Sequence, residues 1–267
     1  MQGRWVSILF LIQVLLAPAI PGIAQEATPP LPPLAHQPIP LGNGFELLYV
    51  YASEVTDDLM TGPVLLGEIR NTSETPAVAP VVRFDLLDAS EMSLGYVDAM
   101  PLALYAPGEA RVPLYADPVS FENTAPGVSP GQWSREAISV CDTGLALSDV
   151  DPTGLEIRNV RYEIDAVSDP GTFAIDGSVT NVSQAAMPYV DVVAPFYAPD
   201  GRFVGFDSQA IVMGIAAGAE VPFSLGSLRH SNQPGLDPDE KVTPVTWDLF
   251  LRRQQRFQPA TCGAPIM

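Results

Sequence analysis

Apolar and polar residues alternate along most of this chain with the period of a β-strand, and almost nowhere with that of a helix. Ile175, Gly177 and Val179 fall on one face while Asp176, Ser178 and Thr180 fall on the other, the pattern of a half-buried strand. Leu65, Gly67 and Ile69 alternate in the same way with Leu66, Glu68 and Arg70. Phe45 to Tyr51 reads as an opening strand, and Val82, Phe84 and Leu86 predict another, matched by Val192, Ala194 and Phe196. Turn chemistry follows: Asp88-Ala89-Ser90-Glu91 after the one, Ala198-Pro199-Asp200-Gly201 after the other. Asp-Gly between two strand-like runs is a strong tight-turn signal. Outside the first 24 residues no segment sustains apolar helical spacing over three turns. The pattern predicts an all-β protein.

The elements come in two sets. Gly67-Glu68-Ile69-Arg70-Asn71-Thr72-Ser73 returns as Gly177-Ser178-Val179-Thr180-Asn181-Val182-Ser183, and 181 − 71 gives an offset of 110. Gly95 aligns with Gly205, Val82 with Val192 and Leu86 with Phe196. One residue then drops out, so that Ala110-Arg111-Val112-Pro113-Leu114 matches Ala219-Glu220-Val221-Pro222-Phe223. Trp133 and its run to Val140 match Trp247 and its run to Arg253. A unit on the order of a hundred residues is the size of a small β-sandwich and can bury its own core. Asn71 and Asn181 end their strands, where Asn and Ser side chains satisfy turn backbone groups. Gly95 and Gly205 predict a bulge or a close backbone approach, and the proline after Val112 and Val221 predicts an edge strand.

The motif Gly-x-[Ile/Val]-x-Asn-x-Ser recurs in both sets. It is followed by a β-run ending Phe84-Asp85-Leu86-Leu87-Asp88 or Phe196-Tyr197-Ala198-Pro199-Asp200-Gly201, then by a Gly-containing strand and a Pro-Gly-like turn. This resembles the FxLYD domain, a small extracellular sandwich of bacteria and archaea. The second set departs at Ala198, where the first keeps Asp88, and the first lacks the Asp-Gly pair. The resemblance implies two tandem immunoglobulin-like β-sandwich domains and no assigned catalytic role.

The 267 residues include 28 prolines and 21 glycines, a composition suited to turns and edge strands. Residues 1–24 read as a secretory signal peptide. Arg4 starts it, Trp5 to Ala17 form an apolar run, and Gly22 and Ala24 put small side chains at the cleavage positions. The run is short for a membrane span, so no span is expected after cleavage. Residues 25–44, with Pro29-Pro30, Pro32-Pro33, Pro38 and Pro40, predict an extended linker. The remaining expected divisions are a first sandwich at 45–140, an interdomain segment at 141–154, a second sandwich at 155–257 and a C-terminal tail at 258–267. Removing Arg4 takes the 13 basic residues to 12 against 31 acidic ones, a net charge of −19. Such a surface repels nucleic acid and anionic lipid.

Cys141 and Cys262 each follow the final expected strand of their set, in a chain expected to be exported, where disulfides persist. A bond between them would enclose the second sandwich; two free thiols, or a link to another molecule, is the alternative. The Asn71 and Asn181 sequons read as turn residues rather than glycan acceptors. Asp149 with Asp151, and Asp237 with Asp239 and Glu240, lack the spacing and central glycine of a calcium loop. His36 and His230 are too few for a zinc site, and no serine carries a nucleophile motif. No catalytic residue, metal or cofactor is therefore expected. Tyr197, on the opposite parity to Phe196, and Phe203 are the expected exposed aromatics of an interaction surface. The expectation is a non-catalytic secreted or cell-envelope protein, engaging an extracellular or envelope protein or serving surface structure. A small-ligand or cation-binding role is the alternative.

Overall fold

Val81–Leu87 buries alternate side chains from Val82 onward, with Val82, Phe84 and Leu86 all but inaccessible to solvent. The computed structural model describes residues 37–56, 61–126, 128, 135–165, 172–198, 201–226, 246–253 and 261–266. The expected signal peptide, most of the proline-rich stretch with His36, and Trp133, Asp200, His230, Asp237, Asp239 and Glu240 lie outside them.

Among the described residues the first half contains nine strands: β1 (Ile39–Gly42), β2 (Phe45–Thr56), β3 (Thr61–Asn71), β4 (Ala77–Val78), β5 (Val81–Leu87), β6 (Ser93–Pro101), β7 (Tyr105–Ala106), β8 (Arg111–Ala116) and β9 (Arg135–Asp142). A short helix, α1 (Leu147–Val150), leads into the second half. There follow β10 (Leu155–Asp165), β11 (Thr172–Asn181), β12 (Val190–Tyr197), β13 (Phe203–Ile211), β14 (Glu220–Gly226), β15 (Thr246–Trp247), β16 (Phe250–Arg252) and β17 (Thr261–Cys262). The protein is all-β, as its alternation predicts. Strand bounds fall at the sequence offset: β2 begins at 45 and β10 at 155, β3 ends at 71 and β11 at 181, β6 spans 93–101 and β13 spans 203–211.

Eight strands of one path, β1-β2-β3-β8-β6-β5-β9-β17, fold over a core of Leu47, Val50, Ile69, Val82, Phe84, Val97, Val112 and Leu114. In the second half β10-β11-β14 lies against β13-β12, with β15 and β16 both paired to β12. Its core holds Ile175, Val179, Val192, Phe196, Ile215 and Phe223. Gly95 adopts φ +112° beside a ladder irregularity, and a Cβ there would lie 2.3 Å from the Asn123 carbonyl oxygen. Both expectations for that glycine, a bulge and a close approach, hold.

Asn71 and Asn181 do the same work in the two halves. Each is fully buried; the Asn71 amide donates to the carbonyls of Thr75, Ala106 and Pro107, and its Oδ1 accepts from the Ser73 amide and hydroxyl. Asn181 donates to Ala185 and Ile215 carbonyls and accepts from the amide and hydroxyl of Ser183. Each side chain satisfies backbone groups of two separate loops, which buried polar groups require.

Three expected boundaries shift. The end of the 25–44 linker is structured, because Ile39–Gly42 forms β1 on β2 and Leu41 is buried in the first core. Cys141 lies inside β9 rather than after it. The 258–267 tail returns to the first half, where Thr261 and Cys262 pair with Asp142 and Cys141 and Ile266 exchanges backbone hydrogen bonds with Ile138. Cys141 and Cys262 are disulfide-bonded across 121 residues of sequence. The proline rule holds for β14, an edge strand, but β8 is flanked by β3 along its length and by β6 through Met100 and Pro101.

Asn71→Ala is expected to lower unfolding stability by roughly 3 kcal/mol, since it leaves several loop groups unpaired; urea titration followed by circular dichroism measures it. Replacing both cysteines by serine is expected to cost roughly 2–5 kcal/mol, read from the same titration of oxidised protein and double variant.

Candidate functional site

The strands that build the first core also carry a second apolar face. On β3, Leu65 and Ile69 enter the first core, while Val64 and Leu66 belong to a separate cluster with Tyr51, Leu102, Val193 and Phe203. Tyr49, Tyr115, Tyr197 and Phe206 pack around it. Val193, Tyr197, Phe203 and Phe206 come from β12 and β13, so this cluster is a seam between the halves. The rings of Tyr115 and Phe206 meet edge to face with centroids 5.0 Å apart, a favoured aromatic geometry.

Hydrogen bonds fasten the seam at Phe203. Phe203, at the start of β13, donates its backbone N–H to the Tyr49 hydroxyl at 2.7 Å, and its carbonyl accepts from the Tyr51 hydroxyl at 2.5 Å. The Tyr49 hydroxyl in turn donates to Glu68 Oε2 at 2.6 Å, and Arg111 pairs with that same oxygen. Glu68 is fully buried, and its Oε1 has no hydrogen-bond partner among the described residues. Burial raises the Glu68 pKa, against the opposing pull of the Tyr49 hydrogen bond and the Arg111 charge. Burial, with the Glu68 charge beside it, also pushes the Tyr49 hydroxyl far above the usual phenol range.

The expected interaction residues therefore need correction. Phe203 is fully buried, and Tyr197 packs against the seam with its ring 6.3 Å from that of Phe203. The first half already covers this surface, because its own outer face is apolar where an isolated sandwich would be polar. A signal was present in the sequence. At the offset of 110, Tyr49, Tyr51 and Leu66 correspond to Asn159, Arg161 and Asp176, and Val193 corresponds to Arg83. Each half thus has one apolar outer face, and the two apolar faces meet.

Other candidates are accounted for by turns. Asp149 Oδ2 accepts from the Ala146 amide at the start of α1, and Asp151 Oδ1 accepts from the amide and hydroxyl of Thr153. Among the described residues there is no group of three His, Cys, Asp or Glu side chains that could hold a metal. No described helix is long and apolar enough to cross a membrane.

A half-open cleft of about 380 Å³ lies beside the seam. Pro152, Leu155, Ile157 and Leu249 to Leu251 line it from the second half, with Tyr105 and Arg111 among its walls from the first. The sequence reading missed it because its walls come from both halves.

No family model matches the chain, and no curated protein matches it. Among solved structures, it is similar to the D341A D367A calcium binding mutant of Bacteroides uniformis beta-glucuronidase 2, at 15% identity and a TM-score of 0.25. The alignment covers 79% of this chain and 27% of that one. A likeness of that size carries no argument about activity.

Because the folded state holds the Glu68 proton more tightly than the unfolded chain does, this residue's contribution to stability is full below the ordinary value of 4.5 and is lost as pH rises through its folded pKa. Glu68→Gln is expected to gain stability relative to the parent as pH rises through that window, and to match it more closely in acid. Melting temperatures of both proteins from pH 4 to pH 8, on the order of one measurement per unit, check the sign.

Proposed function

We propose that this chain is a non-catalytic secreted or cell-envelope protein, built of tandem FxLYD-like sandwiches and working through protein–protein interaction or surface structure. The observation that carries this reading is the seam. Its tyrosines, its buried glutamate and Arg111 hold one sandwich against the other, so the polar interior is spent on fixing two bodies together. A disulfide supports export, since such bonds persist in oxidising compartments. What remains for contact with other molecules is strand edges and loops, which offer unpaired backbone groups to a partner. The cleft of about 380 Å³ favours a second reading, the binding of a small ligand between the halves.

Gentle crosslinking of the mature protein in its native envelope, followed by purification and mass spectrometry, tests the reading. The expected result is one protein partner recovered through the same crosslinked residues in independent preparations. A solitary protein whose melting temperature rises with calcium or with a small organic ligand would contradict it.

A further inference from the structure

The two halves differ at one edge. In the first, Ile39–Gly42 pairs with the start of β2, with Ile39 opposite Leu47 and Gly42 opposite Phe45. This strand also lies against β9, so it closes the gap between the two layers of the sandwich on that side. Leu41 fills the gap and is 4% exposed. Phe45-Glu46-Leu47 corresponds at the offset of 110 to Leu155-Glu156-Ile157, the start of β10. Among the described residues no strand pairs outside it there, and β10 is the edge of its sheet. The chain before it turns through α1, and the Leu155 N–H is taken by the Pro152 carbonyl at 2.9 Å.

Strand alternation settles which groups face outward. Asn181, opposite Leu155, donates its N–H to Ala219, away from β10. Leu155 and Asn181 are therefore a non-hydrogen-bonded pair, and the backbone groups of Leu155 and Ile157 point to the open edge. By the same alternation the Ile157 N–H faces away from Val179, its opposite residue on β11. Leu155 and Ile157 also line the cleft, whose other wall includes Leu249 and Leu251 beside and within β16. On the second half's side the cleft lies between the β2-equivalent and the β9-equivalent strands, the position that Leu41 fills in the first half, and Ala103, Tyr105, Pro107 and Arg111 of the first half wall it from across the seam.

We infer that the Leu155–Ile157 edge and the adjoining cleft receive an extended peptide from a partner protein, which adds as an outer strand and buries one apolar side chain in the cleft. The inference rests on the interaction reading and names its surface. The peptide pairs with Ile157 as Ile39 pairs with Leu47, and carries a second apolar residue two positions on, as Leu41 follows Ile39. Main-chain hydrogen bonds supply affinity and the cleft supplies selectivity, the usual division in strand addition. The augmentation is short, since a ladder irregularity between Arg158 and Arg161, with Asn159 at φ 55°, interrupts the edge beyond Ile157.

The probe is a synthetic peptide copying residues 37–44, Gln-Pro-Ile-Pro-Leu-Gly-Asn-Gly, titrated into the isotopically labelled mature protein and followed by amide NMR. Saturable shifts at Ile157 and at Leu249 to Leu251 are expected. Ile157→Pro, which removes the outward N–H, and Leu249→Arg, which fills the cleft, are each expected to weaken binding about tenfold or more; the amide spectrum of each variant reports whether it is folded. No saturable shift in this region, or shifts centred on Phe45 to Leu47 through strand exchange in the first half, would overturn the inference. A crosslinked envelope partner that binds both folded variants as tightly as the parent would also overturn it while leaving the interaction reading intact. Peptide binding at Ile157 with no envelope partner would support the site and count against the wider reading.

Discussion

A sheet whose two faces are both apolar must be covered on both, and this constraint organises the molecule. β2 and β3 turn Leu47, Val50, Leu65 and Ile69 into one core and Tyr51, Val64 and Leu66 into another. The first is closed by the opposite layer of the same sandwich. The second is closed by β12 and β13 of the other half, whose outward face carries Val193, Phe203 and Phe206. Interfaces between domains of one chain are ordinarily polar and permit motion; a seam of packed aromatic and aliphatic side chains restrains it. The disulfide and the returning β17 then tie the end of the second half to β9 of the first. The second sandwich is therefore held at both ends of its own sequence as well as across its face.

Within the seam, burying Glu68 is costly, because a carboxylate removed from water needs partners for both oxygens. Oε2 has two, Tyr49 and Arg111, while Oε1 has none among the described residues. What the residue provides in return is geometry. It fixes the Tyr49 hydroxyl as donor to the carboxylate, leaving its oxygen to accept from Phe203. Tyr51 holds the carbonyl of the same residue. The first residue of β13 is thus fixed through both of its backbone polar groups, which sets the register in which the halves meet. At the equivalent position the second half has Ser178, whose strand carries Asp176 where the first has Leu66.

Strands and turns were legible in the sequence because alternation and turn residues are local chemistry. The alternation around Ile69 and Val179 and the Asn-x-Ser turns follow from residues close in the chain, and Gly95 was legible as a glycine inside a strand although the backbone that crowds it is that of Asn123. The seam was harder to read, since the outer face of a strand is ordinarily assigned to solvent. Comparing the two sets position by position would have exposed it: Tyr51 against Arg161 and Leu66 against Asp176 are substitutions a solvated face has no reason to make in the apolar direction. Ile39–Gly42 was hidden by its prolines, which read as linker. Pro40 is tolerated because the strand is an outer one, where a missing N–H breaks no ladder. The path of the tail back to β9 had only Cys262 as its signal, and a single cysteine does not say which strand it will join.

The seam as a structural lock is tested most directly by differential scanning calorimetry of the oxidised protein. The account predicts one cooperative transition, with calorimetric and van't Hoff enthalpies in agreement, because neither half can unfold without exposing the face it lends to the other. Two separated transitions, each accounting for one half, would contradict it.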